Sequence, residues 1–222
     1  MTQPVRQRLR VTYARGEAIK YISHLDLART WERALRRARV PLVYSQGFNP
    51  RPKITFAAAL PVGVTGGREV MDLILERLVM PLTFARRLAP HLPPGLEVIA
   101  VEEVYHRLPS LQSQMCAAEY RVTVEWEQGR QALEARVAGF LAAERVIRQR
   151  RGKTYDLRPL VDSLSVGDAV PGGFALQMRL RLGPGGTARH DEVLDALGLA
   201  GMMRSACRER LFFQEPGQGT AI

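Results

Sequence analysis

Ser23-His24-Leu25-Asp26 sets a hydroxyl, an imidazole and a carboxylate within four residues. Because an imidazole titrates near neutrality, His24 is a candidate general base. A Ser-His-Asp relay is excluded, since neighbouring positions on one helical turn cannot reach the geometry it needs. The plainer account of the same residues is a helix start, with Ser23 accepting from the backbone at Asp26 and Asp26 favoured by the helix dipole. A second constellation runs from Tyr44 to Lys53, Tyr-Ser-Gln-Gly-Phe-Asn-Pro-Arg-Pro-Lys. Its two prolines stiffen the backbone around Arg51 and Gly47 permits a bend. Ser45, Gln46 and Asn49 supply donors and acceptors, and Arg51 and Lys53 supply positive charge. A rigid cationic loop of this kind suits an anionic substrate, and it also reads as a long connection pinned by prolines. A third pair, Asp156 and Arg158, lies two residues apart, so on a strand both share one face. They form either a strand-edge ion pair or, facing the first loop, a ligand contact.

The charge balance points the same way. Lys and Arg number 32 against 22 acidic residues among 222, a net charge of +10. Lys20, Lys53 and Lys153 are the lysines; every other cation is arginine. Up to Leu108 there are 17 basic and 9 acidic residues, and beyond it 15 and 13, so the positive field belongs to the first half. Arg29, Arg33, Arg36 and Arg37 lie opposite Trp31 and Leu35 on one predicted helix, and Arg8 and Arg10 point away from the core side of a predicted strand. In the second half Arg179 and Arg181 do likewise. These arginines can contact phosphates, or simply solvate the surface, as charged faces commonly do. The summed field favours a polyanion such as RNA. Aromatic residues make up 7% of the chain and no RNP-type pattern occurs, so stacking of bases on a sheet is not expected.

Other classes of chemistry are unsupported. Cys116 and Cys207 are too few for an iron-sulfur cluster, and the four histidines show no ligand spacing, so no metal or cofactor is expected on this chain. No apolar run approaches the roughly 18 residues of a membrane span. Arginines occupy the stretch where a signal peptide would be apolar, so the expected location is the cytoplasm.

The elements that must position these residues follow from their periods. Leu9, Val11 and Tyr13 alternate with Arg8, Arg10 and Thr12, the mark of a half-buried strand. Leu25, Ala28, Trp31, Leu35 and Ala38 recur at helical spacing behind Ser23, and Pro41 sets the stop. Strands are expected at Leu42–Tyr44, Lys53–Leu60 and Glu69–Leu78, the last two split by a turn at Gly63–Gly67. A short helix at Pro81–Leu92 and a strand at Leu96–Val104 close the first half. The order is β-α-β-β-α-β, that of a ferredoxin-like sandwich, with helices on one face of the sheet and the other face open. The second half repeats it. Strands are expected at Tyr120–Glu127, Thr154–Ser163, Phe174–Leu182 and Met203–Phe213, a helix face at Leu133, Val137, Phe140, Leu141 and Ile147, and a helix at Thr187–Leu199. Gly183-Pro184-Gly185-Gly186 lacks a Walker lysine and reads as a turn. The expected fold class is therefore α+β with two tandem ferredoxin-like domains, 1–108 and 119–215, joined near Arg107–Ala118, and a loose tail at 216–222.

Several of these strings resemble a known family. Tyr21 to Asp26, Trp31 to Ala38 and Tyr44 to Lys53, with the Asp156-Leu157-Arg158-Pro159-Leu160 block in the second half, are similar to the radical-SAM-linked (radical-SAM-associated) proteins of uncharacterised function. The resemblance covers nearly the whole chain. It implies a radical-SAM enzyme as partner, carrying the S-adenosylmethionine and the iron-sulfur cluster that this chain cannot hold. The expected role is thus a non-catalytic partner that binds and presents an RNA or other anionic substrate. The alternative is an RNA-processing or RNA-modifying enzyme using His24, by fold-level analogy with tandem ferredoxin-like endoribonucleases.

Overall fold

In a computed structural model the described residues are 6–105 and 108–214. They divide into two compact units, one of residues 6–114 with Gln214 and the other of Met115–Phe213. The expected tail at 216–222, and His106 and Arg107 at the expected junction, lie outside the described residues.

The first unit begins with β1 (Gln7–Arg15), whose alternation buries Leu9, Val11 and Tyr13. The helix α1 (His24–Arg37) buries Leu27, Trp31, Ala34 and Leu35 along one stripe. It ends in a Schellman turn: the Val40 amide donates to the Leu35 carbonyl at 3.1 Å and the Arg39 amide to that of Arg36 at 3.0 Å. Arg39 itself is left-handed, with φ 52°, and Pro41 prevents continuation. Then come β2 (Ile54–Phe56), β3 (Thr65–Leu75), α2 (Pro81–Leu88), β4 (Leu96–Val104) and a single turn, α3 (Leu111–Gln114). Pro81 at the first turn of α2 costs nothing there, because that amide has no helical partner. The strands are antiparallel in the order β2-β3-β1-β4. Trp31 meets Tyr13 edge-on at 5.0 Å in the middle of the core, and Phe84 and Leu88 join from α2.

Two expectations for this unit change. The strand β3 begins at Thr65, so Gly66 and Gly67 lie within it and the turn ends before them. The strand at Lys53–Leu60 shortens to β2, and Leu42 and Tyr44 make single bridges rather than a strand.

The second unit comprises β5 (Met115–Glu125), α4 (Arg130–Ala142), β6 (Ile147–Arg150), β7 (Lys153–Asp156), β8 (Val161–Val170), β9 (Gly173–Gly183), β10 (Gly186–Thr187), α5 (His190–Ala196) and β11 (Met203–Phe213). Its sheet is antiparallel in the order β8-β9-β5-β11, the connection order of the first unit, and β10 returns upon β9 through the expected glycine turn. The core is Tyr120, Val122 and Val124 of β5 with Leu133, Val137 and Phe140 of α4 and Val193 and Leu194 of α5.

The strand expected at Thr154–Ser163 is broken. Its first part pairs with the basic run as a separate β6–β7 hairpin, a 3-10 turn at Arg158–Leu160 intervenes, and β8 starts at Val161. The physical reason is Pro159, which cannot donate to a ladder. Each unit is thus α+β, with an antiparallel sheet and two principal helices.

Candidate functional site

The first unit carries the residues singled out at the start of α1. Ser23 caps the helix: its Oγ accepts from the Asp26 amide at 3.1 Å and donates to the Asp26 carboxylate at 2.7 Å. That hydrogen bond, with Arg29 at 3.2 Å, holds the Asp26 carboxyl below the usual carboxylate range. Both polar neighbours of His24 are therefore committed to the helix start.

His24 faces away from them. Its ring stands edge-on to Phe56 at 5.2 Å, and its Nδ1 is buried with no hydrogen-bond partner among the described residues. Burial, and then the nearby Arg15 guanidinium, push its pKa below the ordinary imidazole value, so the neutral form prevails at neutral pH. With residues 54–59 and Gln112 it lines a groove of about 380 Å³. Gln112 Nε2 donates to the Phe56 carbonyl at 2.8 Å. Arg15, fully buried at the end of β1, fixes this corner by donating to the carbonyls of Lys20 at 2.6 Å, Ile22 at 2.9 Å and Leu60 at 3.4 Å. Sequence reasoning missed Arg15, although an arginine in phase with Leu9, Val11 and Tyr13 was the signal.

A depressed imidazole pKa has a sign. The unfolded chain takes up a proton near pH 6.5, above the folded value, so stability is lost as pH falls through that region. His190, buried in the second unit and stacked on Tyr120 at 5.4 Å, is depressed in the same way by its burial. Denaturant midpoints are expected to fall between pH 7.5 and 5.5, and to fall less in His24→Asn. Equal losses in the two proteins would count against the buried neutral imidazole.

The arginines separate into two groups. Arg29, Arg33, Arg36 and Arg37 are exposed along α1 as expected. Arg86 and Arg87 in the last turn of α2 are exposed as well and were not singled out from the sequence. Arg37 donates to the His91 carbonyl at 3.1 Å, in the 3-10 turn that follows α2. No described acid lies within ion-pair distance of Arg33, Arg36, Arg37, Arg86 or Arg87. Arg8 and Arg10 belong elsewhere, and their expected role as exposed phosphate contacts is corrected. Both clasp Asp72 on β3, Arg8 through Nε at 2.8 Å and Arg10 through Nε at 2.9 Å. Arg8 is 6% exposed, with Leu108 and Pro109 accepting its remaining donors at 2.6 and 3.1 Å. Residues 108–109 therefore cover part of the sheet face expected to be open.

The Tyr44–Lys53 loop is a narrow β-like ribbon. The Ser45 amide donates to the Arg51 carbonyl and the Lys53 amide to that of Val43, both at 2.8 Å, while the Arg51 amide donates to Ser45 Oγ at 3.0 Å. Ser45 thus braces the ribbon with its hydroxyl. Gln46, Asn49, Arg51 and Lys53 are exposed, and Gln46 and Ser45 line a groove of about 530 Å³ shared with Arg6 and Glu76.

In the second unit Asp156 and Arg158 do not pair. Asp156 Oδ1 accepts from the backbone amides of Val146 at 2.9 Å and Arg158 at 3.1 Å, which lowers its pKa. The Arg158 guanidinium donates to the Leu141 and Val161 carbonyls, each at 3.1 Å. Both side chains secure the turn between β7 and β8, which corrects their expected ligand contact. Arg179 and Arg181 lie against Asp162, and Arg148 and Arg150 against Asp195 and Glu192. Among the described residues no three His, Cys, Asp or Glu side chains gather as metal ligands.

These features define an α+β protein with an unpaired arginine surface, a stiff basic ribbon and a histidine groove in its first unit. The chain belongs to the family described as an uncharacterized protein conserved in bacteria (DUF2344), matched over residues 8–189. No curated protein matches it. It is similar to a solved Cbf5-Nop10-Gar1 complex, at 11% identity over 95% of this chain and 50% of that one, with a TM-score of 0.51. It is also similar to an archaeal box H/ACA sRNP Nop10-Cbf5 complex, at 13% identity over 95% of this chain and 49% of that one, with a TM-score of 0.48. The chain spans about half the length of these structures, and at such identity the likeness is one of fold alone. No helix among the described residues is long and apolar enough to cross a membrane.

Proposed function

We propose that the chain is a non-catalytic partner of a radical-SAM enzyme, binding an RNA or other anionic substrate and presenting it. The observation that carries this reading is the set of exposed arginines on α1 and α2 that no described acid neutralises. In the second unit, by contrast, nine of the fourteen arginines, Arg121, Arg130, Arg145, Arg148, Arg150, Arg179, Arg181, Arg189 and Arg204, stand against carboxylates, while the exposed Arg136, Arg151 and Arg210 do not among the described residues. Unpaired guanidinium groups retain their full attraction for phosphate. The strand order in each unit supports two tandem ferredoxin-like domains. The partner rests on the resemblance of the Ser23–Asp26 and Gly47–Pro52 strings, and the partner would supply the S-adenosylmethionine and iron-sulfur chemistry.

Fluorescence anisotropy of labelled RNA at several salt concentrations tests the reading. Replacing Arg33, Arg36, Arg86 and Arg87 with Gln is expected to weaken binding about equally across sequences. The slope of log affinity against log salt is expected to flatten by roughly 0.7 for each phosphate of a single strand that is no longer neutralised. A wild-type protein with no salt-dependent affinity for RNA would overturn the nucleic-acid part and leave the basic face to dock an acidic protein.

The His24 groove favours a second reading, an RNA-processing or RNA-modifying enzyme with neutral His24 as base. The two separate in one incubation. RNA left intact by the purified chain supports the first, and turnover abolished in His24→Ala supports the second.

A further inference from the structure

Phe48 stands at the tip of the Tyr44–Lys53 ribbon with its whole side chain in solvent, at 106% relative exposure, whereas the other phenylalanines of the described first unit, Phe56 and Phe84, are buried. An exposed phenyl ring gains nothing for the fold. The chain nonetheless spends a rigid support on it, since backbone and Ser45 hydrogen bonds close the ribbon below and Pro50 and Pro52 restrict the descending arm. Gly47, at φ 128° and with open space around a would-be Cβ, makes the bend that turns the tip outward. Presentation on a stiff support limits the ordering cost of binding.

The charge around the ring selects among occupants. Between Tyr44 and Lys53 the ribbon holds Arg51 and Lys53, both exposed, and no carboxylate. An apolar protein pocket would need the ring alone. An unpaired nucleotide needs an aromatic face and a cation within a few residues, because its base stacks while its phosphate remains charged. We infer that Phe48 is a stacking platform for an unpaired base of a single-stranded RNA, with Arg51 and Lys53 taking the flanking phosphates. This rests on the RNA-binding reading above and adds to it a preference for unpaired strands.

The probes are a labelled 12-nucleotide oligouridylate and a fully paired RNA duplex, titrated with the full chain at fixed salt. Phe48→Ala is expected to weaken oligouridylate binding roughly 5- to 150-fold, the range for removal of one base stack. Its salt slope is expected to stay unchanged, as is binding to the duplex. Phe48→Trp is expected to restore affinity, and its indole emission to be quenched on binding. Full exposure of the ring makes loss of folding in Phe48→Ala unexpected, and an unchanged melting temperature checks it. If Phe48→Ala binds oligouridylate as the wild type does while the arginine variants still lose affinity, the stacking inference fails alone and the ring is left for a protein partner. If the wild type binds neither probe, the RNA reading fails and the inference with it.

Discussion

Replacing Asp72 with Asn is expected to lower the unfolding free energy by about 3 to 5 kcal/mol, the cost of leaving a buried charge without its partner. Asp72 is 2% exposed and serves two guanidinium groups, those of Arg8 and Arg10. Asparagine preserves the shape and one acceptor oxygen but removes the negative charge. Arg8 would keep the carbonyls of Leu108 and Pro109 and share one amide oxygen with Arg10, and dipoles compensate a cation less well than a carboxylate does. Urea denaturation at pH 7.5 measures the effect. A loss below about 1 kcal/mol would show that the pair behaves as an exposed one, and that Arg8 is available to solvent and phosphate after all.

The Arg15→Leu variant is the second large effect, and it acts on the candidate site. Three carbonyls, those of Lys20, Ile22 and Leu60, lose a donor at once, and that of Lys20 keeps the Gly63 amide at 2.7 Å. A buried group left unsatisfied costs about 1 to 3 kcal/mol, so a loss of about 2 to 3 kcal/mol is expected from the Ile22 and Leu60 carbonyls. The segments that these carbonyls anchor lead into α1 on one side and out of the groove lining on the other. Removing the guanidinium also removes one of the two causes that depress His24. The His24 pKa is therefore expected to rise toward 6.5, followed by the imidazole proton shift in an NMR titration. An unmoved His24 titration in a folded Arg15→Leu protein would refute the electrostatic link between the two residues.

Local patterns were legible wherever one face of an element is buried. The alternation of β1 and of β5 followed from a period of two, because a half-buried strand must keep apolar and polar residues on opposite faces. The α1 helix was legible from its stripe, its Ser23 cap and Pro41. The β6–β7 hairpin was not, since Ile147, expected on the helix face with Phe140, opens β6 beyond the end of α4 and the other hairpin residues are largely polar, with Arg150 reaching Glu192 of α5. Nor were the edges of β2, where the bounds depend on how far β3 extends beside it.

Site residues divide along the same line. Type and spacing placed the arginines of α1, His24 and the ribbon in the first unit, because helix phase and proline stiffness are properties of the neighbouring chain alone. The role of an arginine on a strand was decided by what lies across from it. Asp72 is 64 residues from Arg8, and the register of β1 on β3 brings the two together and turns an expected phosphate contact into a buried clasp. Arg158 was likewise taken by the Leu141 and Val161 carbonyls once Pro159 ended the strand. Phe48 has no periodic partner to mark it, and its ring stands outside because the ribbon closes beneath it. The sequence by itself determined the order of the principal strands and helices, the helix cap and where the positive charge is concentrated. The tertiary structure decided which of those charges remain free, because pairing depends on strand register and chain crossing, which join residues far apart in sequence.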